Sequence, residues 1–483
     1  MKNYHIIFLL VALLAGSCTD EGALRKAAAT ITADELRNYT MTLAADSFMG
    51  RKPFSPGEAV TVRYLAGELE KIGFRPAFGE SWFQSVPMTE ISTRVNGPVT
   101  ITAGGDRLEF TAPDDVAIES PSQKEIIEIK DMPMVFCGFG IVAPEYGWDD
   151  YRNSDVKGKC VVVLINDPGL YTGDTPPCDV CGWLNADAAD RLFSALGYSV
   201  DTLRREACRK DWHGFGMAAA INVKLENTHT HNTSLNVAGI LPGTKNPDEC
   251  VVIEGHWDHF GIGEAENGDS IYNGAVDNGT TMAWAFEIGE AFASLSKKPE
   301  RSVILLFPTA EEQGLLGSSW FTVHPTVAPE NIIACFNNDM MLAIGRMNDI
   351  MVTGYGQSEL EDMLAQAAEK QGRYILPDPT PETGMYFLSD HFPFALIGVP
   401  SLFARGNCDS REHGKEWAAT QEKEYLTTMY HKPADNYYPS MNFEGIAEDA
   451  RAAFEVAWRI VTSDIRPQWK AGSEFANIRP AVH

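Results

Sequence analysis

From residue 236 onward, short apolar runs alternate with longer segments whose apolar residues recur every three or four positions. The short runs predict strands over 237–241, 250–255, 302–307, 331–337, 350–353 and 399–403. The longer segments predict helices over 280–295, 314–324, 358–371 and 442–463. Strands alternating with helices predict an α/β domain with a largely parallel sheet, in which ligands gather beyond the carboxyl ends of the strands. Nearer the N-terminus, 33–45 and 57–72 have helical spacing. In the second, Val60, Tyr64, Leu65, Leu69 and Ile72 share a face, and Gly73 supplies a stop. Between about 118 and 226 the texture changes to short β-rich runs, 134–142 and 159–165, broken by Gly, Pro and Asp. This predicts a small β-containing unit inserted over 118–234, with the polar run 228–234 as the link back. The remainder is then 18–117 and 235–483.

Composition narrows the classes. The chain has 483 residues, 44% hydrophobic and 22% charged, which excludes a mostly disordered chain, a fibre and a multi-span membrane protein and leaves room for two or three units. The net charge of −27 would be repelled by phosphate backbones, so no nucleic-acid partner is expected.

Residues 6–15 are apolar, follow Lys2, and end in Ala15-Gly16-Ser17-Cys18. The run is too short to span a bilayer and fits the core of a signal peptide over 1–17. The junction resembles a bacterial lipobox. That resemblance implies lipidation at Cys18, membrane anchoring through the N-terminal lipid, and export to the periplasm or cell surface. Export permits disulfides. Cys178 and Cys181 form a lone CxxC, for which a local disulfide, two free thiols or a bridge to Cys208 all stay open. Cys160, Cys250 and Cys335 lie in strand-like runs and are expected to be buried thiols.

Chemistry-bearing residues follow the predicted strands one after another. The run 250–255 leads into His256-Trp257-Asp258-His259, and Asp277 precedes a helix. The run 302–307 leads to Glu311-Glu312, 331–336 leads to Asp339, and Tyr430-His431 sits in a loop. Singly each has an ordinary explanation, such as a helix cap for Asp277 or solvated acids at a helix start for Glu311 and Glu312. Together, imidazoles and carboxylates at successive strand ends of one sheet form a donor set that Zn²⁺ accepts. Tyr430, beside His431, is a candidate donor to a developing oxyanion.

The segments GHWDH (255–259), GAVDN (274–278), TAEEQGLLGS (309–318), NNDM (337–340), SDHFPF (389–394) and YHKPADN (430–436) resemble the di-zinc exopeptidases of clan MH. That clan includes bacterial leucyl aminopeptidases and glutamate carboxypeptidase II. LAADSFMGRKPFSPGE (43–58) is similar to the opening segment of that family, and 135–169 resembles a shortened protease-associated domain. The resemblance implies a three-layer α/β/α peptidase domain with a mostly parallel mixed sheet. It implies two Zn²⁺, with His256 and Asp339 on one, Glu312 and His431 on the other, and Asp277 between them. It further implies Glu311 as general base, Asp258 holding the His256 ring by a hydrogen bond, His391 behind or beside the ligands, and a cis peptide bond between Asp277 and Asn278.

The expected function is a secreted aminopeptidase that removes N-terminal residues from peptides, using a water shared by two zinc ions. The rivals are a single-zinc transferase like glutaminyl cyclase and a catalytically inactive binding lipoprotein on the same fold. Retention of all five ligands and Glu311 favours hydrolysis.

Overall fold

The computed structural model describes residues 21–143, 147–164 and 178–479; the expected signal segment, 1–17, and Cys18 lie outside them. Among the described residues, seven strands form the main path of the sheet in the first unit: β1 (Phe215–Leu241, of which 233–241 belongs to this unit), β2 (Asn246–Glu254), β3 (Arg301–Phe307), β4 (Ile332–Asn337), β5 (Asp349–Thr353), β6 (Tyr374–Pro377) and β7 (Ser401–Arg405), with Arg75–Pro76 also paired to β1. Their order is β6-β5-β7-β4-β2-β3-β1. β2 runs parallel to β3 and β4, β4 to β7, and β5 to β6, whereas β1 on β3 and β5 on β7 are antiparallel. The sheet is therefore mixed and mostly parallel.

Alternation of side chains along each strand divides the apolar residues between two cores. Val251, Ile253, Val303, Leu305 and Phe307 enter one, and Cys250, Val252, Ile304 and Leu306 enter the other. Burial on both faces is why these strands read as continuous apolar runs. The first core is closed by α1 (Ala33–Leu43), α2 (Pro56–Lys71), α3 (Thr281–Ser294), α5 (Leu360–Lys370) and α8 (Glu444–Val461), and the second by α4 (Leu316–Val323) and α6 (His391–Leu396). A further helix, α7 (Lys415–Thr428), leads toward Tyr430 and His431. Thr32 caps α1 through the Glu35 N–H, and Ser55 caps α2 through the Gly57 N–H with Pro56 in the first turn. Leu36, Leu43, Leu65 and Leu69 reach the same core as Val237 and Phe454, so the N-terminal helices belong to this domain.

The second unit comprises residues 87–232 and 382–387. It begins earlier than the expected boundary at 118. Strands Val99–Ala103 and Asp106–Phe110 supply Val99, Ile101 and Phe110 to its core, beside Ile127, Phe136 and Leu225. Two helices, Ala186–Ala195 and Val200–Ala207, add Leu192, Phe193 and Leu203. Residues 228–234 are strand, part of β1, and not a link. The run is polar because most of those side chains are not buried, and backbone hydrogen bonding forms a strand without an apolar face. Cys178 and Cys181 are thiols with Sγ atoms 3.2 Å apart. Cys250 and Cys335 are buried, and Cys160 is half-buried.

Candidate active site

The carboxyl ends of three adjacent strands converge. β2 delivers His256 to His259, β3 delivers Glu311 and Glu312, and β4 delivers Asp339. Asp277 stands in the segment between strand Asp269–Tyr272 and α3, and His431 in the loop after α7. His256, Asp258, Asp277, Glu311 and Asp339 are all buried, while the His431 side chain is 36% exposed and marks the side from which a ligand could enter.

Asp277 lies between two imidazoles. Its Oδ1 is 3.4 Å from His256 Nε2, and its Oδ2 is 3.3 Å from His431 Nε2. His256 Nε2 is also 3.6 Å from Asp339 Oδ1, and His431 Nε2 is 3.2 Å from Glu312 Oε2. Two donors on one tetrahedral zinc, each about 2.0–2.1 Å from it, stand about 3.3 Å apart. All four spacings match that figure, so the residues form two trios sharing one carboxylate through its two oxygens. Among the described residues, His256 Nε2 and Asp339 Oδ1 are buried with no hydrogen-bond partner. Buried polar atoms left this way in a carboxylate-rich cluster are what a cation would satisfy. The residues fit zinc.

Electrostatics agree. Burial would raise the Asp277 carboxyl, but hydrogen bonds from His256 and His431 bring it far below the usual carboxylate range. Burial pushes Glu311 well above that range; His256 opposes this, and the charges of Asp339, Asp390 and Glu312 add to it. Glu311 is therefore, like Asp258, a carboxylate of the cluster with raised proton affinity, and its Oε2 lies 3.7 Å from His256 Nε2. Glu312, next in the chain, is shifted downward: His259 and His431 hydrogen-bond to it and outweigh its burial.

His256 donates from Nδ1 to the main-chain carbonyl of Asp258 at 3.1 Å, whereas the Asp258 carboxylate is 3.8 Å away. That carboxylate accepts the Glu311 N–H at 3.0 Å instead. Asp258 thus fixes the ring through its main chain and fixes Glu311 through its side chain. Ser389 donates to Asp339 Oδ2 at 3.0 Å and leaves Oδ1 facing His256. Tyr430 stacks on the His431 ring at 3.7 Å; burial and the charges of Asp277, Asp339, Glu312 and Glu311 keep its phenol protonated. His431 has a left-handed backbone, φ +55°, and its ring also meets Phe260 at 4.6 Å. His391 is fully buried and packs on Phe403 at 5.2 Å. Burial lowers it to about 3, so it is a neutral core residue behind the cluster. The Asp277–Asn278 peptide is cis.

Two residues to which the sequence reading assigned no role stand in the site. His259, fully buried, donates from Nδ1 to Glu312 Oε1 at 2.6 Å. That distance is a hydrogen bond and is too short for two donors on one zinc. His259 thus hydrogen-bonds Glu312 and, with Asp277 and Glu312, also lies close enough to hold an ion; His431, 3.3 and 3.2 Å from Asp277 and Glu312, makes the trio that matches zinc spacing. Arg51, also fully buried, lies against the backbone of the 273–277 segment. The adjacent DH in GHWDH and the R in MGRK were the only sequence signals for these two.

Known proteins resemble this chain in sequence and fold. The sequence model of peptidase family M28 matches residues 236–453. A probable leucine aminopeptidase 2 from Aspergillus oryzae is 28% identical over 462 residues, covering 88% of this chain and 84% of that protein. A probable zinc metalloprotease from Pyricularia oryzae is 31% identical over 106 residues, which is 22% of this chain but a fifth (20%) of that protein's length. The solved aminopeptidase from Aneurinibacillus sp. strain AM-1 has the same fold, with a TM-score of 0.55 at 16% identity, covering 95% of this chain and 99% of that one. The segment that matches peptidase family M28 holds both trios and Glu311, and the protein is a metallopeptidase.

Proposed function

We propose that the protein is a two-zinc aminopeptidase, with His256 and Asp339 holding one ion, Glu312 and His431 the other, and Asp277 both. The observation that carries this reading is the pair of trios that use the two oxygens of Asp277, at 3.4 and 3.3 Å from opposite imidazoles. Bound zinc supplies Lewis acidity for the scissile carbonyl and the attacking water. Glu311 takes the proton of that water and passes it to the leaving amine. Asp258, through the Glu311 N–H, keeps Glu311 from turning away. Tyr430, a protonated phenol stacked on His431, donates to the oxyanion as charge develops.

The test uses aminoacyl-naphthylamides with and without chelator, beside N-blocked controls, together with elemental analysis. Cleavage of free but not blocked substrates, abolished by chelator, with two zinc equivalents, is expected. Cleavage of blocked substrates only would sink the aminopeptidase reading, and a reproducible single equivalent would favour a cyclase-like site.

His259 offers a narrower check. Removing its Nδ1–H leaves Glu312 Oε1 without its donor, and outer hydrogen bonds of this kind are worth about 10–100-fold in metal affinity. His259→Ala is expected to weaken one of the two zinc ions by that factor and leave the other unchanged. Equal affinity for both ions in variant and parent would remove His259 from the site.

We also propose export with lipid anchoring at Cys18 and an accessory, protease-associated role for the insert read over 118–234, supported by the sequence resemblances alone. Cys18→Ser is then expected to move the protein from the membrane to the soluble fraction. Continued fractionation with membranes would end the anchoring proposal.

A further inference from the structure

The segment Asn273–Asn278 must present both oxygens of Asp277 to opposite imidazoles, so no bond to the rest of the protein can be spent on that carboxylate. The main chain is held instead, from two sides. Arg51 donates from Nε to Trp257 O at 2.8 Å, from Nη1 to Leu43 O and Asn273 O at 2.8 and 2.5 Å, and from Nη2 to Gly274 O and Asp277 O at 2.9 and 3.5 Å. A guanidinium has five N–H groups, and each meets a carbonyl; three of those carbonyls belong to this segment. Its N–H groups go the other way. Val276 and Asp277 donate to the two carboxylate oxygens of Asp435 at 3.0 Å each, and Ala275 donates to the Asp435 carbonyl at 3.0 Å. Tyr425 holds the same carboxylate through its hydroxyl at 3.2 Å. Arg51 and Asp435 are 0% and 1% exposed.

We infer that Arg51 and Asp435 are positioning residues that clamp this segment between a buried cation and a buried anion, and thereby fix Asp277 between the two metal positions. This rests on the two-zinc reading above. Neither charge has a directly bonded ionic partner among the described residues; each answers the other across the loop. Burial lowers the Arg51 guanidinium to about 10, with Asp277 and Asp435 the leading charges that oppose the drop. The fit is close. Gly274 is left-handed (φ +54°), and a Cβ there would lie 2.8 Å from Arg51 Nη2 and 2.1 Å from the Asp277 carbonyl. Arg51 also reaches the first ligand loop through Trp257, and its own carbonyl accepts the His259 N–H at 3.2 Å. One side chain from the N-terminal segment thus ties together the loops that carry His256 and Asp277.

A lysine cannot meet five carbonyls from one point, and an amide at Asp435 turns one acceptor into a donor facing a backbone N–H. The experiment compares zinc affinity by chelator competition in the full-length protein, Arg51→Lys and Asp435→Asn. Arg373→Lys serves as a control, because Arg373 pairs with Asp449 at 2.6 Å in a buried bridge that touches none of the site residues. Because Asp277 serves both ions, both affinities are expected to fall together, by about 10–100-fold, in each clamp variant. Arg373→Lys is expected to lower the unfolding temperature of the metal-free protein without changing either affinity. The clamp is overturned if Arg51→Lys and Asp435→Asn bind both ions as the parent does, if they lose only one, or if Arg373→Lys weakens zinc equally. Should Arg51→Lys fail to fold, Asp435→Asn, which keeps the side-chain shape, decides alone. An error in the two-ion reading shows separately, as fewer than two equivalents in the unmodified protein, and the clamp is then judged on the ion that Asp277 holds.

Discussion

Replacing Glu311 by Gln is expected to lower kcat by about 10²–10⁴-fold, the usual worth of a positioned proton acceptor, with zinc content unchanged. The change preserves shape and the main-chain bond from Glu311 N–H to Asp258 at 3.0 Å, and removes only the capacity to take a proton. Glu311 is suited to that task. It is 9% exposed, and burial among Asp339, Asp390 and Glu312 raises its proton affinity. The neighbouring position gives the contrast. Glu312 is bonded by His259 at 2.6 Å and lies 3.2 Å from His431, and its proton affinity is lowered. Glu312→Gln is therefore expected to release zinc as well as activity. The two adjacent substitutions separate base from ligand when rate and metal content are read together. A Glu311→Gln enzyme of near-parental kcat, or one that has lost zinc, would show the assignment to be wrong.

Much of this candidate site was legible because four of its five candidate ligands, His256, Asp277, Glu312 and Asp339, follow an apolar run or precede a helix; His431, in a loop, was legible through the family resemblance. The strands that carry His256, Glu311 and Asp339 are buried on both faces, so each run declares itself without any need for alternation, and the residue after it declares the site. Other elements gave no such signal. The helix Lys415–Thr428 buries only Ala418 and Tyr425, so it has no apolar stripe to detect. The edge strand Tyr374–Pro377 has no buried residue. The start of the second unit was placed too late because Val99, Ile101 and Phe110 alternate with polar residues just as a strand of the first unit would. Arg51 and Asp435 were illegible for a different reason. Their partners are main-chain atoms 222–226 and 158–159 residues away along the chain, and a backbone carbonyl leaves no mark in a sequence.

Removing zinc is expected to cost the protein stability, and the cost is expected to grow as pH rises from about 6.5 to 8.5. In the metal-free cluster, burial lifts the Asp258 carboxyl to about 7 and Glu311 well above its ordinary value. Burial lowers the imidazoles, but surrounding carboxylates more than reverse this, taking His431 to about 9 and His256 well above its usual value. All four groups hold protons more tightly folded than unfolded. Stability from such groups is complete below the unfolded pKa, about 4 for the acids and about 6.5 for the imidazoles, and is lost as pH rises through the folded value. His391 runs the other way, since burial lowers it to about 3, but its effect ends near the unfolded imidazole value and so falls below this window. Zinc requires neutral imidazoles and ionised carboxylates, so bound metal replaces the protons that the empty cluster would keep. The gap in unfolding temperature between zinc-loaded and chelator-treated protein should therefore widen from pH 6.5 to 8.5, and zinc added to the metal-free protein near pH 7 should release protons into a weakly buffered indicator solution. A gap that stays constant or narrows across that range, or metal uptake without proton release, would mean that the cluster is not held together by shared protons in the absence of metal.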